Sequence, residues 1–247
     1  MTDWSQLEDA FGSADGIPAL LDRFEAAPSS VWPELMDRLC PQLDTAFTAS
    51  FAALPRLAEI ASGQEPERRS WTLLAAGPIV SCARRSPEGM TARTTYAAEI
   101  EELARLTDEC LHAALDSETY LLLLQTALAC EDVAIWDERL DGMVEGEYEV
   151  ECPHCGVEVF LVIGAEGRFS AIGDYARDDI EKIPLRPTPP QDLDGVAKQL
   201  YERALRHGQR EVAEGFAHLF GEGECGDCRT VFPVATQVAG WLMPTVV

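Results

Sequence analysis

Residues 16–39, GIPALLDRFEAAPSSVWPELMDRL, decide the fold class. Within them Ile17, Leu20, Leu21 and Phe24 fall at i, i+3, i+4 and i+7. After the break at Pro28, Ser29 and Ser30, the residues Val31, Trp32, Leu35, Met36 and Leu39 repeat the stripe. That is the period of an amphipathic α-helix, written twice with a short turn between. Outward from this stretch the spacing recurs in Phe47, Ser50, Phe51, Leu54 and Leu57. It recurs again in Trp71, Leu74, Ala75, Ile79 and Cys82, where Pro78 is expected to kink the helix or shift its start. Ile100, Leu103, Ala104 and Leu111 predict a longer helix, and Tyr120, Leu123, Leu124, Ala127 and Leu128 another. Connections such as Ala26-Ala27-Pro28 and Ser62 to Pro66 are short, so consecutive helices are expected to pack as antiparallel hairpins.

After Gly146 the period changes from 3.6 to 2. Tyr148 to Glu151 alternates, as do Val157, Val159 and Leu161 against Glu158 and Phe160, with Gly164 to Gly167 as a turn. Pro184 to Pro190 reads as an extended linker. Beyond it Leu193, Val196, Ala197, Leu200, Tyr201, Ala204 and Leu205 form a clear helical stripe. A second helix is expected from Arg210 to Phe220, and Thr230 to Thr236 returns to β character. The expected organisation is a helical domain at 1–145, then a small β unit at 146–247 interrupted by a helical pair at about 192–220.

The Leu-rich helix pairs, with Ala-rich stretches such as 46–61 (AFTASFAALPRLAEIA), resemble the HEAT-like repeat proteins over roughly residues 16–140. That resemblance implies a mainly α solenoid of stacked antiparallel hairpins. No fixed period and no repeated Asp-x-x-x-Arg signature accompanies it, and a non-repetitive helical bundle has the same pattern.

Specific chemistry is concentrated in Cys152-Pro-His-Cys155 and Cys225-Gly-Asp-Cys228. Two CxxC pairs can set four thiolates at the corners of a tetrahedron, which structural Zn²⁺ accepts at ~2.3 Å per Zn–S bond. Gly156 after the first pair supplies the φ freedom of such a turn. Here the chain resembles a zinc ribbon whose first half matches the Cys-Pro-x-Cys-Gly knuckle and whose second half departs from it, with Arg229 in place of Gly. The resemblance implies Zn²⁺ held by Cys152, Cys155, Cys225 and Cys228. The 69 residues between Cys155 and Cys225 exceed the ~15 to 20 of simple ribbons. A fourfold longer loop nevertheless costs only ~1.2 kcal/mol of closure entropy, against ~10 to 16 kcal/mol of structural zinc binding.

The alternative is a thiol-disulfide oxidoreductase using Cys152 and Cys155, because Cys-Pro-His-Cys also resembles the active-site motif of DsbA-like enzymes. There the first Cys opens a helix that lowers its pKa, whereas Gly156 to Val162 here is strand-like. Cys40, Cys82, Cys110 and Cys130 lie on or beside apolar helical faces and read as small buried hydrophobes. The string GEGECG at 221–226 matches GxGxxG but follows a helix and precedes a strand, the reverse of dinucleotide-binding context.

Charge sets the remaining bounds. Forty-three acids against 19 bases leave a net −24, which excludes a general nucleic-acid binder. No apolar run approaches the ~20 residues of a membrane span, and Met1-Thr2-Asp3-Trp4 lacks the basic and apolar regions of a signal peptide. A soluble, cytoplasmic protein is the expectation. Acids are densest between 131 and 149, where eight face only Arg139. Solvation alone accounts for such a face, and docking of a protein with a basic surface is the functional reading. Asp137, Glu138 and Asp141 are then the expected contact residues, carrying no part of the fold. The combined expectation is a non-enzymatic, zinc-stabilised helical-repeat protein that binds another protein.

Overall fold

The computed structural model describes residues 2–113 and 116–240. It is mainly helical, with small antiparallel sheets, and divides into two compact units: residues 1–113 with 122–138, and residues 114–121 with 139–247. No helix among the described residues is long and apolar enough to cross a membrane.

The first unit opens with a short hairpin, β1 (Glu8–Asp9) and β2 (Gly12–Ser13), then α1 (Ile17–Ala26), α2 (Pro28–Leu39), α3 (Thr48–Gly63) and α4 (Pro66–Cys82). It continues through α5 (Pro87–Thr95), α6 (Ala97–Leu111), most of α7 (Ser117–Cys130) and the start of α8 (Trp136–Arg139). Pro28, Pro66 and Pro87 each stand in the first turn of a helix, where their missing N–H has no intrahelical partner to lose. The expected stripes face inward: Ile17, Leu20, Leu21 and Phe24 of α1 are buried, as are Val31, Leu35, Met36 and Leu39 of α2. Helices α1 and α2 pair, as do α3 and α4. In addition α1 lies against α3, α2 against α4, and α6 against both α3 and α4. Helix α7 approaches α4 at Gly77, where any Cβ would collide with the Thr126 side chain.

Pro78 does not shift the start of α4, which begins at Pro66 and runs through Pro78 to Cys82. One detail of this unit differs from the sequence expectation. Trp71 is not core: it is 39% exposed and meets Trp32 edge to face at 6.3 Å.

The second unit carries a four-stranded antiparallel meander in the order β3 (Glu147–Glu151), β4 (Glu158–Gly164), β5 (Gly167–Ala171) and β6 (Ile183–Pro184). A short helix, α9 (Asp141–Glu145), precedes it. The helices α10 (Gly195–Arg206) and α11 (Arg210–Leu219) form the expected hairpin, and α11 lies against β4. Strands β7 (Glu222–Glu224) and β8 (Val231–Pro233) make a second hairpin. The expected strand at 230–236 stops at Pro233. From Val234 the chain is helical (α12, Val234–Gly240), and Val234 and Val238, four residues apart, are buried on one face of it.

Candidate metal centre

The two CxxC pairs occupy equivalent places in two hairpins. Cys152 directly follows β3 and Cys225 directly follows β7; β4 and β8 begin three residues after the second cysteine of each pair. The turns share their internal bonds. The Cys152 N–H donates to the Val157 carbonyl at 2.8 Å, and the Cys225 N–H to the Thr230 carbonyl at 2.9 Å. Gly156 N–H donates back to the Cys152 carbonyl and Arg229 N–H to the Cys225 carbonyl, both at 3.0 Å. Gly156 has φ +74° and Arg229 has φ +60°. Arg229 therefore takes the left-handed conformation that glycine provides in the first turn, and its departure from the knuckle pattern leaves the turn geometry intact. Its guanidinium meets Glu181 at 2.8 and 3.1 Å and Glu224 at 3.6 Å.

Contacts from β5 and β6 bring the hairpins together. β7 lies against both strands, and the Ser170 hydroxyl donates to the Glu224 carbonyl at 2.7 Å. Arg186 and Glu222 exchange backbone hydrogen bonds at 2.9 Å each way. As a result Cys152 Sγ lies 3.6 Å from Cys228 Sγ and Cys155 Sγ lies 3.8 Å from Cys225 Sγ, and all four sulfurs lie within 4.8 Å of one another. A tetrahedral ion bound by four sulfurs at ~2.3 Å requires sulfur-to-sulfur edges of about 3.8 Å, so the four residues fit a metal ion. All four are free thiols, none joined to another at the ~2.05 Å of a disulfide bond.

Electrostatics point the same way. The Cys228 thiol is drawn down to about 6, first by the Thr230 hydroxyl 3.2 Å from its sulfur and then by the Thr230 amide. Cys155 is pushed up to about 12: the Val157 amide pulls it down, but lost solvation and its three thiol neighbours outweigh that pull. Negative charge on one sulfur opposes it on the next unless a cation shares the site. Neither pair opens a helix, since each lies between two strands. The helix N-terminus that lowers a thiol pKa in oxidoreductases is not built here.

The other candidate residues divide differently. Asp137 is buried, and its carboxylate pairs with Arg84; Glu138 meets Arg85 at 2.6 Å and accepts from the Ser81 hydroxyl at 2.6 Å. The expectation that these two carry no part of the fold is overturned, because α8 turns them toward the arginines that follow α4. Asp141 is exposed. With Glu145, Glu147 and Glu149 it lines an open cleft of about 270 Å³ in the second unit, floored by Tyr148, Val150 and Val238. Helical periodicity beyond position 131 did not resolve which acids face inward. Arg84 and Arg85 were the signal, being adjacent bases at the end of an apolar helix and in need of carboxylate partners.

Cys40, Cys82 and Cys110 are buried, as small apolar residues would be, and Cys130 is half-buried. His207 is half-buried, with Nδ1 3.1 Å from the Tyr120 hydroxyl. No known protein family matches the chain, and neither a curated protein nor a solved structure is found to be similar to it.

Proposed function

We propose that this chain is a non-enzymatic, zinc-stabilised helical-repeat protein that binds another protein with a basic surface. The observation that carries the reading is the closed donor set. Four thiols in two equivalent turns supply every corner of a tetrahedron, which is the pattern of structural Zn²⁺ rather than of a catalytic ion that keeps an open position. Zinc is the metal of choice because soft thiolates at tetrahedral spacing favour it over ions that take oxygen ligands. The zinc ties β3–β4 to β7–β8 across the insertion that carries α10 and α11.

The helical unit supports the HEAT-like reading through its packing. The helices α1, α3 and α6 form one succession of neighbours and α2, α4 and α7 a second, with α5 beside α3 and α6. Docking is assigned to the cleft beside β3, which Asp141, Glu145, Glu147 and Glu149 line together with Arg139, four acids against one base. A negative cleft of this kind accelerates encounter with a basic surface.

The experiment is the association rate of a partner captured by pull-down, measured against a chain carrying Asp141→Lys, Glu145→Lys and Glu149→Lys. These three side chains are exposed, unlike Asp137 and Glu138. A fall of about tenfold at low salt, converging with the wild-type rate near 1 M where the Debye length is ~3 Å, supports the reading. An unchanged low-salt rate in a folded variant contradicts it.

A further inference from the structure

Away from the four-cysteine cluster, the helical unit buries two thiols face to face. Cys40 Sγ and Cys82 Sγ are 3.9 Å apart, at the C-terminal ends of α2 and α4, with 41 residues of chain between them. Both residues are buried, and both come from helices that already pack on each other. The turn Pro41 to Asp44 runs beside them. The Leu43 carbonyl lies 3.9 Å from Cys82 Sγ, and Gln42, Leu43 and Asp44 are exposed to solvent. Gln42 and Leu43 have φ of +55° and +61°, a left-handed conformation that costs non-glycine residues free energy. The turn is held from outside by Arg85, which donates to the Asp44 carbonyl. This strained turn lies outside both α2 and α4.

We propose that Cys40 and Cys82 form a redox modification site, which hydrogen peroxide oxidises to a disulfide tying the end of α2 to the end of α4. The Cys82 thiolate attacks one peroxide oxygen; the O–O bond breaks, and the departing hydroxide takes a proton and leaves as water. Cys82 is then a sulfenic acid. Cys40 loses its proton and attacks the Cys82 sulfur, forming the S–S bond. The S–O bond breaks, and hydroxide leaves with that proton as a second water. Overall two thiols lose two electrons and two protons, and one peroxide becomes two waters. A small oxidant suits a buried pair, and the sulfurs need close only from 3.9 Å to about 2.05 Å.

The assignment of attacker and resolver follows the surroundings. Cys82 is held below its ordinary value, first by the hydrogen bond from Cys40 and then, against burial, by the positive charge of Arg85. Cys40 is pushed up by that same hydrogen bond and by burial, so it remains the protonated partner until the second step.

The test uses the full chain carrying its metal, freed of reductant and treated with about two equivalents of hydrogen peroxide, then digested with trypsin without reduction. The expected product joins the peptides Leu39–Arg56 and Ser70–Arg84, two hydrogens lighter than their sum, and separates on adding a thiol reductant. Recovery of the two peptides with free thiols, or with separate irreversible acids, overturns the proposal. Oxidation is expected to raise the thermal midpoint by roughly 5 °C, because the bond closes a long loop of the unfolded chain. In Cys82→Ala that rise disappears; a rise that survives the substitution also overturns the proposal. Cys40→Ala makes the same comparison where Cys82→Ala does not fold.

Discussion

Arg229 and Asp137 show how single residues carry structure that their surroundings in the sequence conceal. Arg229 stands where a glycine is expected and adopts glycine's conformation, held by Glu181 and Glu224. Exposed ion pairs of this kind contribute little by themselves, so the turn depends on its two backbone bonds and on any metal that the four thiols hold. Asp137 carries a buried charge. Its side chain is fully shielded from solvent, with one oxygen on Arg84 and Oδ1 without a hydrogen-bond partner. Removing one member of a buried pair leaves the other uncompensated, which costs far more than losing a surface charge. Asp137→Asn is therefore expected to lower stability by about 2–3 kcal/mol, discounted from a fully buried pair because Arg84 reaches solvent. Glu149→Gln, on the exposed side of β3, should change it by less than about 0.5 kcal/mol. Chemical denaturation of the two variants checks this, and equal values for both would contradict the role given to Asp137.

Among the secondary elements, apolar spacing is readable wherever a helix buries one stripe. Ile17 to Phe24 and Tyr120 to Leu128 place α1 and α7 within a few residues of where they stand. It fails where a cap or a neighbour decides. Helix α5 has no apolar stripe, and only Ser86-Pro87-Glu88-Gly89 announces it. The Ser86 hydroxyl accepts the Gly89 N–H at 3.0 Å while Pro87 fills the first helical position. Helix α12 was hidden by β-branched Val234 and Val238, whose burial is settled by packing on β3 and β8 rather than by local preference. The cysteine turns were legible from spacing alone, because ligand geometry leaves few ways to place two CxxC pairs. Strands β7 and β8 are three residues each and form a two-stranded sheet, and such hairpins are marginal in water without further support, whereas β3 and β4 belong to a four-stranded sheet. Removal of bound zinc with a chelator should therefore abolish hydrogen-exchange protection in β7–β8 while α1 to α4 keep theirs. Unchanged protection in β7–β8 would show that this hairpin stands without the ion.

At the scale of the whole chain, composition announced an acidic protein, but charge counts do not distinguish acids that pair internally from acids that face a partner. Arg38 with Asp9, Arg84 with Asp137 and Arg85 with Glu138 pair three of the acids inside the helical unit and leave the net charge unchanged. Asp141, Glu145 and Glu149 remain exposed in the second unit. Structural zinc binding is worth ~10 to 16 kcal/mol, comparable to the ~5 to 15 kcal/mol that holds an ordinary protein folded, so zinc in the four-cysteine cluster would bear on the fold more than any single ion pair. The most direct measurement is zinc content together with zinc K-edge X-ray absorption on the full chain as purified under reducing conditions. The expected result is one zinc per chain with four sulfur neighbours at ~2.3 Å and no nitrogen or oxygen in the shell. A folded chain without zinc, or a shell containing nitrogen or oxygen, would contradict it.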